Sequence, residues 1–372
     1  MTSDTSPSSA TATTNSSSPH FVPRSILLTG GAGFIGSHVV DLLISRYPEY
    51  HIVVIDKLDY CAAVDNISPL FGRTNLRWCR GDIRSKCLVD YLLRSENIDT
   101  IMHFAASTHV DNSFHSSISF TSNNVVGTHV LLEAARDYGG VKRFIHVSTD
   151  EVYGGETDFE KEESMLSPTN PYACTKAAAE LICRGYAKSF GMPIIITRGN
   201  NVYGPRQYPD KLIAKTCCLL SRKKKAFIHG DGSHSRNYVY VTDIAEAFSI
   251  ILHKGKVGSV YNVGSDDEKT NLQVVRDCIQ ASDMSDPENL NAWISFVKDR
   301  EVNDAHYRID STKLLHLGWE IRTPWRDGIR KTVQWYADED NLKRWPDFMR
   351  GLVPHPTLDA ASVDDMSGMI NF

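Results

Sequence analysis

Residues 25–46 read SILLTGGAGFIGSHVVDLLISR, and the fold turns on them. SILLTG at 25–30 is a short apolar run suited to a buried strand, and FIGSHVVDLLISRY at 34–47 carries an amphipathic helical pattern. Between them stand Gly30, Gly33 and Gly36. Glycines there let the chain turn tightly, let backbone N–H groups approach a pyrophosphate, and let the helix lie close to the sheet, with its positive end toward the phosphate charge. Twenty residues after Gly36, HIVVID at 51–56 ends on Asp56. An acidic side chain in that place accepts hydrogen bonds from an adenosine ribose and repels a 2′-phosphate. The stretch therefore predicts a dinucleotide site, with NAD favoured over NADP.

The strand and helix alternation continues outward. LRWCRGD at 76–82, TIMHFAA at 100–106, FIHVS at 144–148 and PIIITRG at 193–199 read as strands, with helices over 123–138 and after Pro171. Near-continuous apolar strands separated by helices predict a doubly wound α/β fold, a parallel Rossmann sheet covered on both faces. Asp82 closes the third strand, where it could meet an adenine edge. Ala105, Ala106 and Ser107 end the fourth, where small side chains let a dinucleotide lie flat against the backbone. Beyond 200 the rhythm weakens. The expected division is a disordered tail at 1–23, an NAD-binding domain at 24–200, a smaller C-terminal substrate lobe at 201–350 with some chain returning to the sheet, and a loose tail at 351–372.

Composition excludes several classes. The 372 residues are 41% hydrophobic and 23% charged, with 40 basic against 45 acidic side chains and a net charge of −5, so a core can form without metals or disulfides and a nucleic-acid binder is disfavoured. No apolar run approaches the roughly 20 residues of a membrane span. The first twenty residues are mostly Ser, Thr, Ala and Pro, too polar to pack, and no arginine precedes Arg24 as a transit peptide would require. Eight cysteines (Cys61, Cys79, Cys87, Cys174, Cys183, Cys217, Cys218 and Cys278) show no CxxC spacing and follow no secretory signal, so reduced thiols in a cytoplasmic protein are expected. Cys217 and Cys218 read as core, Arg222 to Lys225 as a solvated helix end, and no metal site is indicated.

Two constellations carry chemistry. Tyr172 and Lys176 in PYACTKAAAE stand at i and i+4, so a helix presents both on one face. An ammonium beside a phenol favours phenolate and predicts a general base. In FIHVSTDEVYGG, Thr149, Asp150 and Glu151 follow directly on a buried strand and so reach the same sheet edge. Adjacent carboxyls there supply an acid for a departing hydroxyl and a base for the neighbouring carbon, the two groups an elimination needs.

Glycine turn, acidic ribose residue and YxxxK together resemble the extended short-chain dehydrogenase/reductase superfamily, whose members commonly act on nucleotide-linked sugars. TDEVYG resembles the signature of nucleoside-diphosphate-glucose 4,6-dehydratases; sugar epimerases lack the Asp-Glu pair and related decarboxylases keep only the Glu. The similarity runs over about 25–335. It implies NAD contacts at Gly30, Gly33, Phe34, Ile35, Gly36, Asp56, Lys57, Leu58, Asp82, Ile83, Ala105, Ala106, Ser107, Tyr172, Lys176 and Asn201. It implies nucleotide-sugar contacts at His109, Thr149, Asn200, Lys211, Arg236, Asn271 and Arg300, the three cations suiting a diphosphate. GNNVYGP, RNYVY and DREVND depart from the bacterial deoxythymidine-diphosphate pattern, and HFAASTHVDNSF, TRGNNVYGP and LVPHP look closer to the first domain of plant rhamnose synthases. UDP-glucose is thus favoured, with dTDP-glucose the alternative. The resemblance further implies a homodimer and a separate epimerase-reductase partner, since 372 residues leave no space for the plant enzymes' second domain. A 4-epimerase or a silent NAD-binding scaffold are the rival readings; a scaffold has no reason to keep Tyr172, Lys176, Asp150 and Glu151 together.

Overall fold

A computed structural model describes residues 21–155, 159–299 and 306–355. Six strands occupy the first part of the chain: β1 (Ser25–Thr29), β2 (His51–Asp56), β3 (Leu76–Arg80), β4 (Thr100–His103), β5 (Arg143–Thr149) and β6 (Ile194–Gly199). Then come β7 (Asn201–Tyr203), β8 (Ala226–His229), β9 (Ser235–Tyr240), β10 (Val260–Val263), β11 (Glu268–Thr270) and β12 (Ile294–Val297). Seven of these form one parallel sheet in the order β10-β6-β5-β4-β1-β2-β3.

The strands are apolar throughout because both faces are covered. Ile26, Leu28, Ile52 and Val54 enter one core, whereas Leu27, Val53 and Ile55 point through the sheet into another, the two-residue alternation of a pleated strand. Helices α1 (Phe34–Arg46) and α6 (Val241–Lys254) pack together on the first face. On the opposite face lie α2 (Lys86–Ser95), α3 (Gly127–Tyr138) and α4 (Pro171–Phe190). Strand order reverses at β1, which has β2 on one side and β4 on the other, and a doubly wound sheet opens a crevice at the carboxyl ends beside such a reversal.

A third core gathers α5 (Leu212–Ser221), α7 (Asn271–Ala281) and α8 (Trp325–Ala337) with Trp345 and the buried Cys217, Cys218 and Cys278. Around it stand a three-stranded sheet, β11-β9-β7, and the parallel pair β12-β8. This second lobe is not a separate bead: between its strands the chain returns to lay α6 and β10 on the first sheet. Arg222 and Lys223 form the turn that ends α5.

Three stretches differ from expectation. Phe21 belongs to the folded part, its N–H donating to His253 O at 3.0 Å and its ring lying 4.3 Å under the Arg143 guanidinium. Residues 351–355, assigned above to a loose tail, are held: Gly351 and Leu352 are buried, and Val353 O and Pro354 O accept from Lys215 and His229. Residues 1–20 and 356–372 lie outside the described residues. The helix expected over 123–138 begins instead with a wide π-type turn, Thr121–Val126, that swings Asn123 and Asn124 inward before α3 starts.

Candidate active site

The crevice at the carboxyl ends of the sheet is a cavity of about 440 Å³ running from the glycine turn past β5 to the second lobe. Gly30 has φ +73° and a Cβ there would stand 2.6 Å from Ala105 N, so no other residue fits without moving β4's end. A Cβ on Gly36 would come 2.3 Å from Gly30 O, which is why α1 can start directly against the turn. Asp56 is fixed by its own backbone surroundings, accepting from Leu58 N at 2.8 Å and Ala32 N at 3.1 Å. Burial raises its carboxyl, and those two N–H groups oppose the rise. Burial would also raise Asp82, but the Arg84 guanidinium grips both its oxygens and holds it below the usual carboxylate range.

Phe34, Ile35, Lys57, Ile83, Ala105, Ala106 and Asn201 line the cavity with these groups. Leu58, Ser107 and His109 sit one layer behind. Leu58 serves Asp56 through its N–H, with its side chain packed against the first core. Ser107 N donates to Asn124 Oδ1 at 2.8 Å. His109 is turned inward, its Nδ1 accepting from Asn112 N at 3.2 Å and its Nε2 lying 3.9 Å from Asp210, so the ring caps the short helix Val110–His115. Arg300 lies outside the described residues.

Pro171 opens α4 and Asn170 caps it, Oδ1 accepting from Ala173 N at 2.9 Å. The helix then presents Tyr172 and Lys176, both buried, on the cavity side. Lys176 Nζ donates to Val147 O at 2.6 Å, and burial pulls its pKa down to about 8. The expected lowering of the phenol is not what this arrangement produces. Burial and then the Glu151 carboxylate hold Tyr172 well above its ordinary value, against a hydrogen bond with Thr149, and Asp150 adds to the rise.

β5 ends on Thr149 and the chain turns immediately, so three successive residues reach the cavity. Thr149 Oγ1 donates to Asp150 Oδ1 at 3.1 Å and accepts from Glu151 N at 3.3 Å. The two carboxyls meet different surroundings. Asp150 is only 3% exposed, with Oδ2 accepting from Asn200 Nδ2 at 2.6 Å. Burial, with Glu151 beside it, raises its pKa to about 7 against the Asn200 and Thr149 hydrogen bonds. Glu151 is half-buried, and its Oε2 accepts from Asn170 Nδ2 at 3.0 Å. Farther along, Arg236 lies 4.8 Å over the Tyr307 ring, Lys211 donates to Thr108 O at 2.9 Å, and Asn271 begins α7. All three line the cavity.

Sequence reasoning missed Asn170, although an Asn before Pro at a helix start is a readable cap signal. It also missed Arg198, fully buried under the turn, with hydrogen bonds to Glu180 at 3.1 and 2.5 Å and to Tyr153 Oη at 2.6 Å. No local pattern marks that contact, because its partners come from α4 and the 150–153 turn. Among the described residues no group of His, Cys, Asp or Glu is placed to hold a metal ion, and no helix is long and apolar enough to cross a membrane.

A crossover sheet with a glycine turn at its reversal, and a capped Tyr-Lys helix facing it, places the chain among the extended short-chain dehydrogenases/reductases. Within that class the model of the GDP-mannose 4,6 dehydratase family matches residues 27–332, and the chain belongs to that family. It is 52% identical over 343 residues to a trifunctional UDP-glucose 4,6-dehydratase/UDP-4-keto-6-deoxy-D-glucose 3,5-epimerase/UDP-4-keto-L-rhamnose-reductase of Arabidopsis thaliana. That match covers 91% of this chain and 50% of the relative, so the chain spans about half the length of the plant protein. A dTDP-D-glucose 4,6-dehydratase of Homo sapiens is 44% identical, covering 90% of this chain and 95% of the relative. Among solved structures, a dTDP-glucose 4,6-dehydratase of Streptomyces venezuelae with NAD bound superposes with a TM-score of 0.81 at 36% identity, covering 87% of this chain and 99% of that one.

Proposed function

We propose that the protein is an NAD-dependent hydro-lyase, an NDP-glucose 4,6-dehydratase that converts UDP-glucose to UDP-4-keto-6-deoxyglucose and water, with dTDP-glucose the alternative substrate. The observation that carries this reading is the pair Asp150 and Glu151 at one end of β5, held in unlike environments within reach of Tyr172's cavity. An epimerase would have no use for a second acid and base there.

The cradle suits NAD: Gly30 and Gly36 leave room a Cβ would fill, and Asp56 stands rigid where a ribose would lie. Bound there, NAD would supply a hydride acceptor for C4 of the hexose and return the hydride to C6. The chain's own groups move the protons. Tyr172 takes the proton of the 4-hydroxyl, with Thr149 hydrogen-bonded to the same phenol and Lys176 beside it. Burial and the neighbouring Glu151 raise Asp150 to about 7, and protonation of Asp150 removes one of the charges that hold the phenol up. The ketone formed at C4 acidifies C5–H, Glu151 removes that proton with Asn170 steadying its carboxylate, and Asp150 protonates the departing 6-hydroxyl; Glu151 then gives its proton back to C5 as C6 receives the hydride. Arg236 and Lys211 suit the diphosphate.

The product needs epimerisation and reduction to become rhamnose, activities the plant relatives carry in their names; an epimerase-reductase is the expected partner. Exposed apolar side chains on one side, Ile118, Val126, Leu181 and Phe190, support a second copy of this chain as partner there. The eight cysteines are all unpaired, as in a reducing cytoplasm. Incubation of the purified protein with UDP-glucose and with dTDP-glucose tests the reading: mass spectrometry should show a sugar nucleotide lighter by one water. Galactose epimers, or binding of NAD without change to either sugar, would overturn it.

A further inference from the structure

On its second-lobe side the cavity is lined by Tyr208, Lys215 and His229, from a loop, α5 and β8. Each is tied to the main chain of one segment, 347–355, lying beyond the last residue of the family match. Tyr208 Oη donates to Asp347 O at 3.2 Å, Lys215 Nζ to Val353 O at 2.9 Å, and His229 Nε2 to Pro354 O at 3.0 Å. A carbonyl oxygen only accepts, so the His229 proton stays on Nε2 and Nδ1 is the acceptor side of the ring. The His355 ring lies 4.6 Å over His229. Gly351 is pressed close enough to the 207–211 loop that a Cβ would stand 2.9 Å from Pro209 O. Three carbonyls of this segment, those of Asp347, Val353 and Pro354, thus hold side chains from three separate elements.

This inference rests on the proposed substrate. With the hexose against Tyr172 and Asp150 and the diphosphate against Arg236 and Lys211, the nucleoside is the part left for the wall of Tyr208, Lys215 and His229. We propose that 347–355 is a strap that holds this wall in shape for the nucleoside, setting nucleotide affinity without touching the reacting atoms. His355 is then a positioning residue acting through His229.

The test uses His355→Ala and Pro354→Gly in the full chain, with UDP and dTDP as probes by titration calorimetry on NAD-loaded protein, alongside steady-state turnover. The Kd of the nucleotide that the unaltered protein binds should rise about tenfold, the scale of rotamer-rich side chains losing a pre-set orientation. KM for the NDP-glucose should rise in step, with kcat and NAD affinity within twofold, because none of residues 353–355 lines the cavity. Nucleotide affinity unchanged within twofold in both variants overturns the strap alone. Loss of kcat and NAD affinity together with KM also overturns it, by showing a general loosening. If the unaltered protein binds neither nucleotide, the functional reading fails and the strap with it.

Discussion

At residue scale, the chemistry lies in how one short run of backbone gives two carboxyls different protonation. Glu151→Gln and Asp150→Asn should each cut product formation by about 10²- to 10⁴-fold while leaving C4 oxidation possible. The measurement is the reduced-nicotinamide absorbance band, which should accumulate in both variants and not in Tyr172→Phe. Asp150 has its pKa raised to about 7, so it carries its proton below that pH and loses it above. If it is the acid, kcat/KM should fall as pH rises through about 7. The Asn200 hydrogen bond opposes the rise, so Asn200→Ala should move that alkaline limb to higher pH; a limb that stays put would remove Asp150 as the acid. The types and spacing of these residues were legible in TDEVYG and YxxxK. Their electrostatics were not, since the partners Asn200 and Asn170 come from elsewhere in the chain.

At element scale, Asn170 serves twice, closing the first turn of α4 and donating to Glu151. Asn170→Ala should cost about 1 kcal/mol from the lost cap, read as a lower denaturation midpoint, and should also lower turnover. Asn170→Asp, which keeps the cap but places a carboxylate beside Glu151, should retain stability and lose turnover. Beneath the same turn, Arg198 and Glu180 form an ion pair with no solvent contact. Arg184 also donates to Glu180 at 2.5 Å, so Arg198→Met should cost less than the about 3 to 5 kcal/mol of a fully stranded buried charge, and adding Glu180→Leu should restore most of the loss. Strand positions were readable because a doubly covered sheet demands continuous apolar runs. The π-type turn at 121–126 was not, because its inward Asn123 and Asn124 answer to Ser107 and Thr175, partners no local periodicity announces.

At the scale of the molecule, the outer faces that carry Ile118 and Leu181 are the expected seam of a dimer. Leu181→Glu with Ile118→Glu should yield a monomer by light scattering; an unchanged mass would place the seam elsewhere. The second lobe was legible only as a loss of rhythm, since its strands are short and its third core is assembled from residues more than a hundred positions apart.

The return of β10 and α6 to the first sheet has a consequence for how such a chain can be divided. A fragment stopped near residue 200 would leave β6 as a bare hydrogen-bonding edge and strip α1 of its neighbour, inviting aggregation rather than folding. The first sheet and the second lobe therefore cannot be shuffled independently, whether by a protein engineer or by gene fusion. They can be moved only as one piece, with any new activity appended outside it.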